Sequence, residues 1–179
     1  MNKFPRSAYV HIPFCHRRCF YCDFAVIPLG NKVETLEGYG SKTVKDYLHY
    51  LYKEILSIKH KSSLSTIYFG GGTPSILDPK QIKGLIDLFK ENYGIDYGAE
   101  ITMEVDPASF NHDDLRGFIN AGINRFSLGV QSFNDQILEK SGRRHLSEDA
   151  EKSCLWLKKV YESGLIKSWS LDLIQNLPL

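Results

Sequence analysis

Two hydrophobic periods alternate along the chain. Runs rich in apolar and β-branched residues at 9–12, 66–69, 100–105, 125–130 and 169–174 have the length and composition of strands. Between them, apolar residues recur every three or four positions, as from Val44 to Ile58, which is typical of amphipathic helices. Asp78 before Pro79 starts one helix, and Asn111 and Gly122 bracket another.

This alternation predicts an α/β fold with a parallel sheet and right-handed crossovers. A closed barrel needs about eight strands and ~250 residues. The 179 residues therefore fit a partial (β/α) TIM-like barrel that ends after about five βα units. No linker or low-complexity segment divides the chain, so residues 1–179 are expected to form one domain.

Composition narrows the choice of partners and compartments. Lys plus Arg is 22 and Asp plus Glu is 21, so the net charge of +1 gives no reason to expect nucleic acid or an anionic membrane. No apolar run approaches the ~20 residues of a membrane-spanning helix. The first strand begins near Tyr9, which leaves no room for a signal or transit peptide. Cytosol is the expected location; a plastid or mitochondrion stays open if the precursor starts earlier.

Three cysteines lie directly after the first strand. Cys15, Cys19 and Cys22 form a C-x3-C-x2-C run, and clustered thiols without a signal peptide indicate metal rather than disulfides. Their thiolates can hold three irons of a [4Fe–4S] cluster. The fourth iron is then free to bind S-adenosylmethionine (SAM), whose reductive cleavage would give a hydrogen-abstracting radical. Zinc with a histidine as fourth ligand is a weaker alternative, and the distant Cys154 is interpreted as a core thiol.

The run Tyr9-Val10-His11-Ile12-Pro13-Phe14-Cys15, followed by this spacing, resembles the radical SAM enzymes. The similarity is closest to the oxygen-independent coproporphyrinogen III oxidase family. Tyr21 before the third cysteine resembles the haem-chaperone (HemW-type) branch. The oxidase branch usually has Phe there and a fourth Cys where this chain has Phe24.

Motifs at the strand ends extend the resemblance. Gly70-Gly71-Gly72-Thr73-Pro74 resembles the family's G-G-G-T-P loop, and other polar residues follow the third, fourth and fifth strands. The resemblance implies a SAM site lined by Tyr9, Tyr21, Gly71, Gly72, Thr73, Glu104, Gln131, Arg143 and Asp172. Taken alone, each polar residue also has an ordinary interpretation: acids turned toward water, a turn amide and a solvated arginine.

Three functions stay open at this level. The first is a haem chaperone that binds haem. The second is an active oxidase that oxidatively decarboxylates a porphyrinogen with the help of an unidentified electron donor. The third is a non-catalytic truncated product, because the resemblance implies a sixth strand and a C-terminal domain beyond Leu177.

Overall fold

The computed structural model describes residues 5–30, 41–58 and 62–177. Residues 178–179, beyond Leu177 where the resemblance implies a sixth strand, lie outside these ranges. The elements in chain order are β1 (Ser7–Ile12), β2 (Phe14–Cys15), β3 (Ile27–Pro28), α1 (Lys42–Ser57), β4 (Leu64–Gly71), a 3₁₀ turn (Pro74–Ile76), α2 (Pro79–Asn92), β5 (Ile95–Val105), α3 (His112–Ala121), β6 (Arg125–Gln131), α4 (Asp135–Lys140), α5 (Ser147–Glu162) and β7 (Ser168–Leu173).

Five strands form one parallel sheet in the order β1-β4-β5-β6-β7. Because the spatial order follows the chain order and never reverses, right-handed crossovers place the connecting helices on one face. This is the arrangement of a barrel wall, and it confirms the predicted parallel α/β fold. Within the described ranges the sheet is open, with β1 and β7 at its edges.

The helix ends form where the sequence signals place them. At the start of α2, Asp78 accepts a hydrogen bond from the Lys80 N–H at 2.7 Å, and the Gln81 side chain caps the Asp78 N–H in return. Asn111 caps α3 in the same way, and α3 ends at Gly122, whose φ of 115° suits glycine. The capping residues in the sequence therefore fix where α2 and α3 begin.

The two faces of the sheet differ in chemistry. Alternate residues such as Ile67, Met103 and Phe126 are fully buried under the helices. The intervening residues point to the other face, which carries polar groups in register, including Thr102 beside Arg125, Glu104 beside Ser127, and Asp172 beside Gly129. Apolar burial thus comes mainly from the helical side.

The carboxyl ends of the five strands meet at one edge of the sheet. In βα architectures this edge carries the ligand site. The cysteine loop follows β2, and Gly71, Glu104, Gln131 and Asp172 lie within the last two residues of β4, β5, β6 and β7. Arg143 lies in the loop between α4 and α5. Within residues 5–30, 41–58 and 62–177, no helix has both the length and the apolar character needed to cross a membrane.

Candidate cofactor site at the carboxyl edge of the sheet

The cysteine loop is pinned at both ends. Cys15 closes β2, which pairs with β3 across the loop. Inside the loop, the Cys22 N–H donates to the Cys19 carbonyl at 3.1 Å, and the Phe20 N–H donates to the Ser141 carbonyl at 3.0 Å. All three thiols are free and partly buried. The loop therefore holds its sulfurs near the sheet without disulfides.

Among the described residues, no group of three or more His, Cys, Asp or Glu side chains converges as a site for a single metal ion. Ligands of an iron–sulfur cube bind different irons, so they need not converge on one point. The lack of convergence on one point therefore does not speak against three thiolates that each bind a different iron.

A cavity of about 280 Å³ opens beside this loop. All the residues expected from the sequence line it except Tyr9: Cys15, Cys19, Tyr21, Cys22, Gly71, Gly72, Thr73, Glu104, Gln131, Arg143 and Asp172. Tyr9 stacks on Tyr68 with ring centroids 6.0 Å apart and is 60% exposed. Tyr9 therefore does not line the cavity itself but packs on Tyr68 beside it.

The glycine loop packs tightly against the cysteine loop. Gly71 has a φ of 119°, and a Cβ there would lie 2.7 Å from Nδ1 of His11. A Cβ on Gly72 would lie 2.6 Å from the Phe14 carbonyl oxygen and 2.9 Å from the Cys15 sulfur. Only glycine allows this close approach of the two loops.

Thr73 continues this contact toward the first cysteine. Its hydroxyl donates to the Cys15 sulfur at 3.5 Å. Burial raises the pKa of the Cys15 thiol, and the Thr73 hydrogen bond partly offsets that effect. A hydroxyl donor thus faces the sulfur that the surroundings otherwise favour as a neutral thiol.

Glu104 connects β5 to the glycine loop. It accepts hydrogen bonds from the Tyr68 hydroxyl at 2.8 Å and from the Gly71 N–H at 3.2 Å. Burial, followed by the hydrogen bond to Glu104, raises the pKa of Tyr68, so this phenol remains a donor. The carboxylate is therefore fixed on the cavity wall rather than turned toward open water.

Arg143 crosses the cavity wall and is only 10% exposed. One terminal nitrogen, Nη2, pairs with the Asp106 carboxylate and donates to the Gly129 carbonyl at 2.6 Å. The other, Nη1, faces the Cys19 sulfur at 3.7 Å and the Tyr21 hydroxyl at 3.4 Å. Burial opposes its charge, but Asp106 and the neighbouring Tyr21 and Cys19 outweigh burial and raise the pKa of Arg143.

β6 and β7 carry the last two predicted residues of the site, Gln131 and Asp172. Ser127 donates to Asp172 at 3.1 Å, which holds this exposed carboxylate at the end of β7. Gln131 has a φ of 66°, an uncommon conformation for a residue with a side chain. This strained backbone coincides with a register shift between β6 and β7. Both residues present polar groups to the cavity.

The donor set fits an iron–sulfur cluster with SAM. Three thiols lie on one loop, a hydroxyl and a guanidinium face two of the sulfurs, and glycine backbone borders the third side of the cavity. Donors to the ligand sulfurs orient them and tune the reduction potential of a cluster. Carboxylate and amide oxygens opposite the cysteines match the amino and hydroxyl groups of SAM.

Sequence reasoning missed two partners of Arg143, the partly buried Asp106 and the buried His145. Asp106 follows Glu104 by two residues, but the sequence gives no sign of its pairing, because Arg143 lies 37 residues away. His145 is 1% exposed and bonds the Val130 carbonyl at 3.1 Å through Nε2. Its position two residues after Arg143 was the only available hint.

Comparisons with known proteins agree with this fold. The sequence profile of the Radical SAM superfamily matches residues 9–168. The heme chaperone HemW of Synechocystis sp. is 42% identical over 175 residues, which is 97% of this chain and 40% of that protein. The oxygen-independent coproporphyrinogen III oxidase of Escherichia coli is 36% identical over 180 residues, 97% of this chain and 36% of that protein.

Among solved structures, the coproporphyrinogen III oxidase HemN from Escherichia coli, a radical SAM enzyme, superimposes with a TM-score of 0.78 at 33% identity. The match covers 98% of this chain and 38% of that one. This confirms the core fold expected from the sequence. The chain spans 36% to 44% of the length of the curated relatives compared with it.

Proposed function

The chain belongs to the radical SAM superfamily, and from this premise we propose that Cys15, Cys19 and Cys22 hold a [4Fe–4S] cluster whose remaining iron binds SAM. One observation carries the proposal: the cysteine loop, the glycine loop and the polar strand ends line a single cavity. When bound, cluster and SAM supply reductive cleavage of the sulfonium and hence hydrogen abstraction.

Different residues of the chain would bind different parts of this cofactor. Thr73 and Arg143 donate to the sulfurs of two cysteines. Glu104 and Asp172 offer carboxylate oxygens to the hydroxyl and amino groups of SAM, and both are oriented by hydroxyl donors. Gly72 lets the backbone approach without a Cβ. These groups bind and orient the cofactor.

Metal analysis tests the cluster. Protein purified or reconstituted without oxygen should contain about four irons and four sulfides per chain. Reduction with dithionite should give a paramagnetic cluster whose resonance spectrum changes when SAM is added. Stoichiometric zinc in place of iron, or a spectrum that SAM leaves unaltered, would contradict the proposal.

We further infer that the protein serves haem metabolism as a haem chaperone. The similarity to HemW proteins extends over 97% of the chain, and Tyr21 and Phe24 stand where the oxidase branch has other residues. The cysteine loop supports a porphyrin ligand: its Phe20 and Phe24 are 81% and 66% exposed, and Phe24 lines the cavity with the exposed cations Arg17 and Arg18. An apolar macrocycle with carboxylates is complementary to such a loop.

Two assays separate the chaperone from the oxidase. Haem titration should shift the Soret band and saturate near one equivalent, whereas coproporphyrinogen III with SAM and dithionite should not be decarboxylated. Phe20→Ser/Phe24→Ser should weaken haem binding, and Tyr97→Ser, which changes an exposed aromatic at the start of β5, should not. Turnover of the porphyrinogen would favour the oxidase, and absence of both activities would refute a role with porphyrins.

A further inference from the structure

We propose that Asp106 is a positioning residue that holds the Arg143 guanidinium against the cysteine loop. The Asp106 and Arg143 side chains are 23% and 10% exposed and form an ion pair between the end of β5 and the loop that joins α4 to α5. The inference rests on the proposed cluster site, because its consequence is the geometry of the cysteine loop.

The two ends of the guanidinium have different tasks. Nη2 is anchored to the sheet by Asp106 and by the Gly129 carbonyl. Nη1 is thereby directed at the Cys19 sulfur and the Tyr21 hydroxyl. Because a guanidinium is planar and rigid, fixing one end fixes the direction of the other. The Asp106 carboxylate therefore acts on the cysteine loop only through Arg143, because it bonds the end of the guanidinium that faces away from Cys19.

His145 supports the same orientation. Its Nε2 lies 3.1 Å from the Val130 carbonyl, which can only accept, so Nε2 carries a proton. Its Nδ1 lies 3.4 Å from Nη2 of Arg143, and a second ring proton there would face this cation, so Nδ1 is unprotonated. The ring is therefore neutral here and adds no positive charge that would compete with Arg143 for Asp106.

The backbone around Arg143 also contacts the cysteine loop. The Phe20 N–H donates to the Ser141 carbonyl at 3.0 Å, and the Arg17 side chain donates to the Arg143 carbonyl. Two hydrogen bonds thus join the cysteine loop to segment 141–143. Loss of Asp106 would release the guanidinium and loosen the loop amides.

Hydrogen exchange of the apo protein tests the inference without any cluster. Asp106→Asn should speed amide exchange of the peptide covering residues 16–22 about tenfold, the factor expected for one lost charge-assisted hydrogen bond. Asp96→Asn is the matched control, because it breaks the Arg6–Asp96 pair at the other end of the same strand. In an Arg143→Gln background, Asp106→Asn should add no further acceleration. Equal exchange in Asp106→Asn and Asp96→Asn would overturn the inference.

The reduction potential of the reconstituted cluster gives an independent readout. Removing the Asp106 charge acts by itself to raise the potential, whereas withdrawal of Arg143 from Cys19 lowers it. We expect Asp106→Asn to lower the potential, and a rise would overturn the inference. If the wild type assembles no cluster, the proposed function fails, while the exchange experiment still decides the role of Asp106.

A folding failure of the single variant is also informative. It would leave Arg143 buried without its counter-charge, so Asp106→Asn/Arg143→Gln should regain a higher urea midpoint than Asp106→Asn alone. A double variant no more stable than the single one would contradict the coupling. Asp106→Glu should retain slow exchange, because it keeps the charge.

Discussion

Replacing Gly72 by alanine tests whether the contact between the glycine and cysteine loops builds the cofactor site. The added Cβ would lie 2.6 Å from the Phe14 carbonyl oxygen and 2.9 Å from the Cys15 sulfur. Carbon–oxygen contacts are ordinarily about 3.3 Å or longer. The loops must therefore separate by roughly 0.7 Å, and the Cys15 sulfur moves with them.

The cost of this separation is that of overpacking, about 1–3 kcal/mol. Two backbone hydrogen bonds stand in the way of relaxation. The Gly72 N–H donates to the Ile12 carbonyl and the Thr73 N–H to the Phe14 carbonyl, each at 2.8 Å. We expect the free energy of unfolding to fall by about 2 kcal/mol and cluster assembly to be impaired.

Gly98→Ala is the matched control. Gly98 has a φ of 79° with nothing within 4 Å of its Cβ position, so alanine there costs about 1–2 kcal/mol of backbone strain without touching the site. Urea unfolding of the apo proteins and iron content after anaerobic reconstitution are the measurements. Both variants should lose similar stability, and only Gly72→Ala should lose iron. Full iron loading of Gly72→Ala, or equal losses in both variants, would refute the reasoning.

Three other predictions address single residues. Cys19→Ala should abolish the cluster, whereas Cys154→Ala, which changes a thiol packed against the core, should keep about four irons. Glu104→Gln should weaken SAM binding about tenfold, measured calorimetrically on reconstituted protein, because a charged acceptor is lost. Burial lowers the pKa of His145 from its ordinary value of 6.5, so the unfolded chain binds more protons below that pH. The free energy of unfolding of the apo protein should therefore fall as pH drops below about 6.5, by at most about 1.4 kcal/mol per pH unit from this group, and His145→Gln should flatten that dependence.

Each of these has an outcome that contradicts it. Equal iron loss from Cys19→Ala and Cys154→Ala would separate the cluster from the loop. Unchanged SAM affinity in Glu104→Gln would return this carboxylate to a purely structural role with Tyr68 and Gly71. An identical pH dependence of stability in wild type and His145→Gln would show that the ring is not held neutral by the fold.

Local signals predicted most of the fold. Strand and helix periods, the caps at Asp78 and Asn111, and the stop at Gly122 act over a few residues, so the sequence displays them directly. The strand expected from Glu100 is longer in the structure, where β5 begins at Ile95. Gly98, with its positive φ, interrupts the pattern there and hides the first part of the strand.

The roles within the site depended on contacts that no local pattern shows. Arg143 read equally well as a solvated charge, and only the fold reveals its burial against Asp106. The sequence also gives no sign of what surrounds Gly71. In the structure the ring of His11 lies where a Cβ at this position would be. The spacing of a motif thus shows which residue types occur at the site, whereas only the structure shows which neighbours they pack against.

The polar face of the sheet explains why the site extends beyond the strand ends. Parallel sheets usually bury both faces under apolar side chains. Here one face carries hydroxyls and charges that bond one another, as when Thr102 donates to Glu100 at 3.2 Å and the Ser127 and Ser170 hydroxyls lie 3.1 Å apart. Covering such groups with apolar atoms is costly unless every one is paired. The face is continuous with the cavity through Ser127. Its polar residues lack the hydrophobic stabilisation that packing against a second layer of helices would provide. They offer hydrogen-bonding groups to a polar ligand in the cavity.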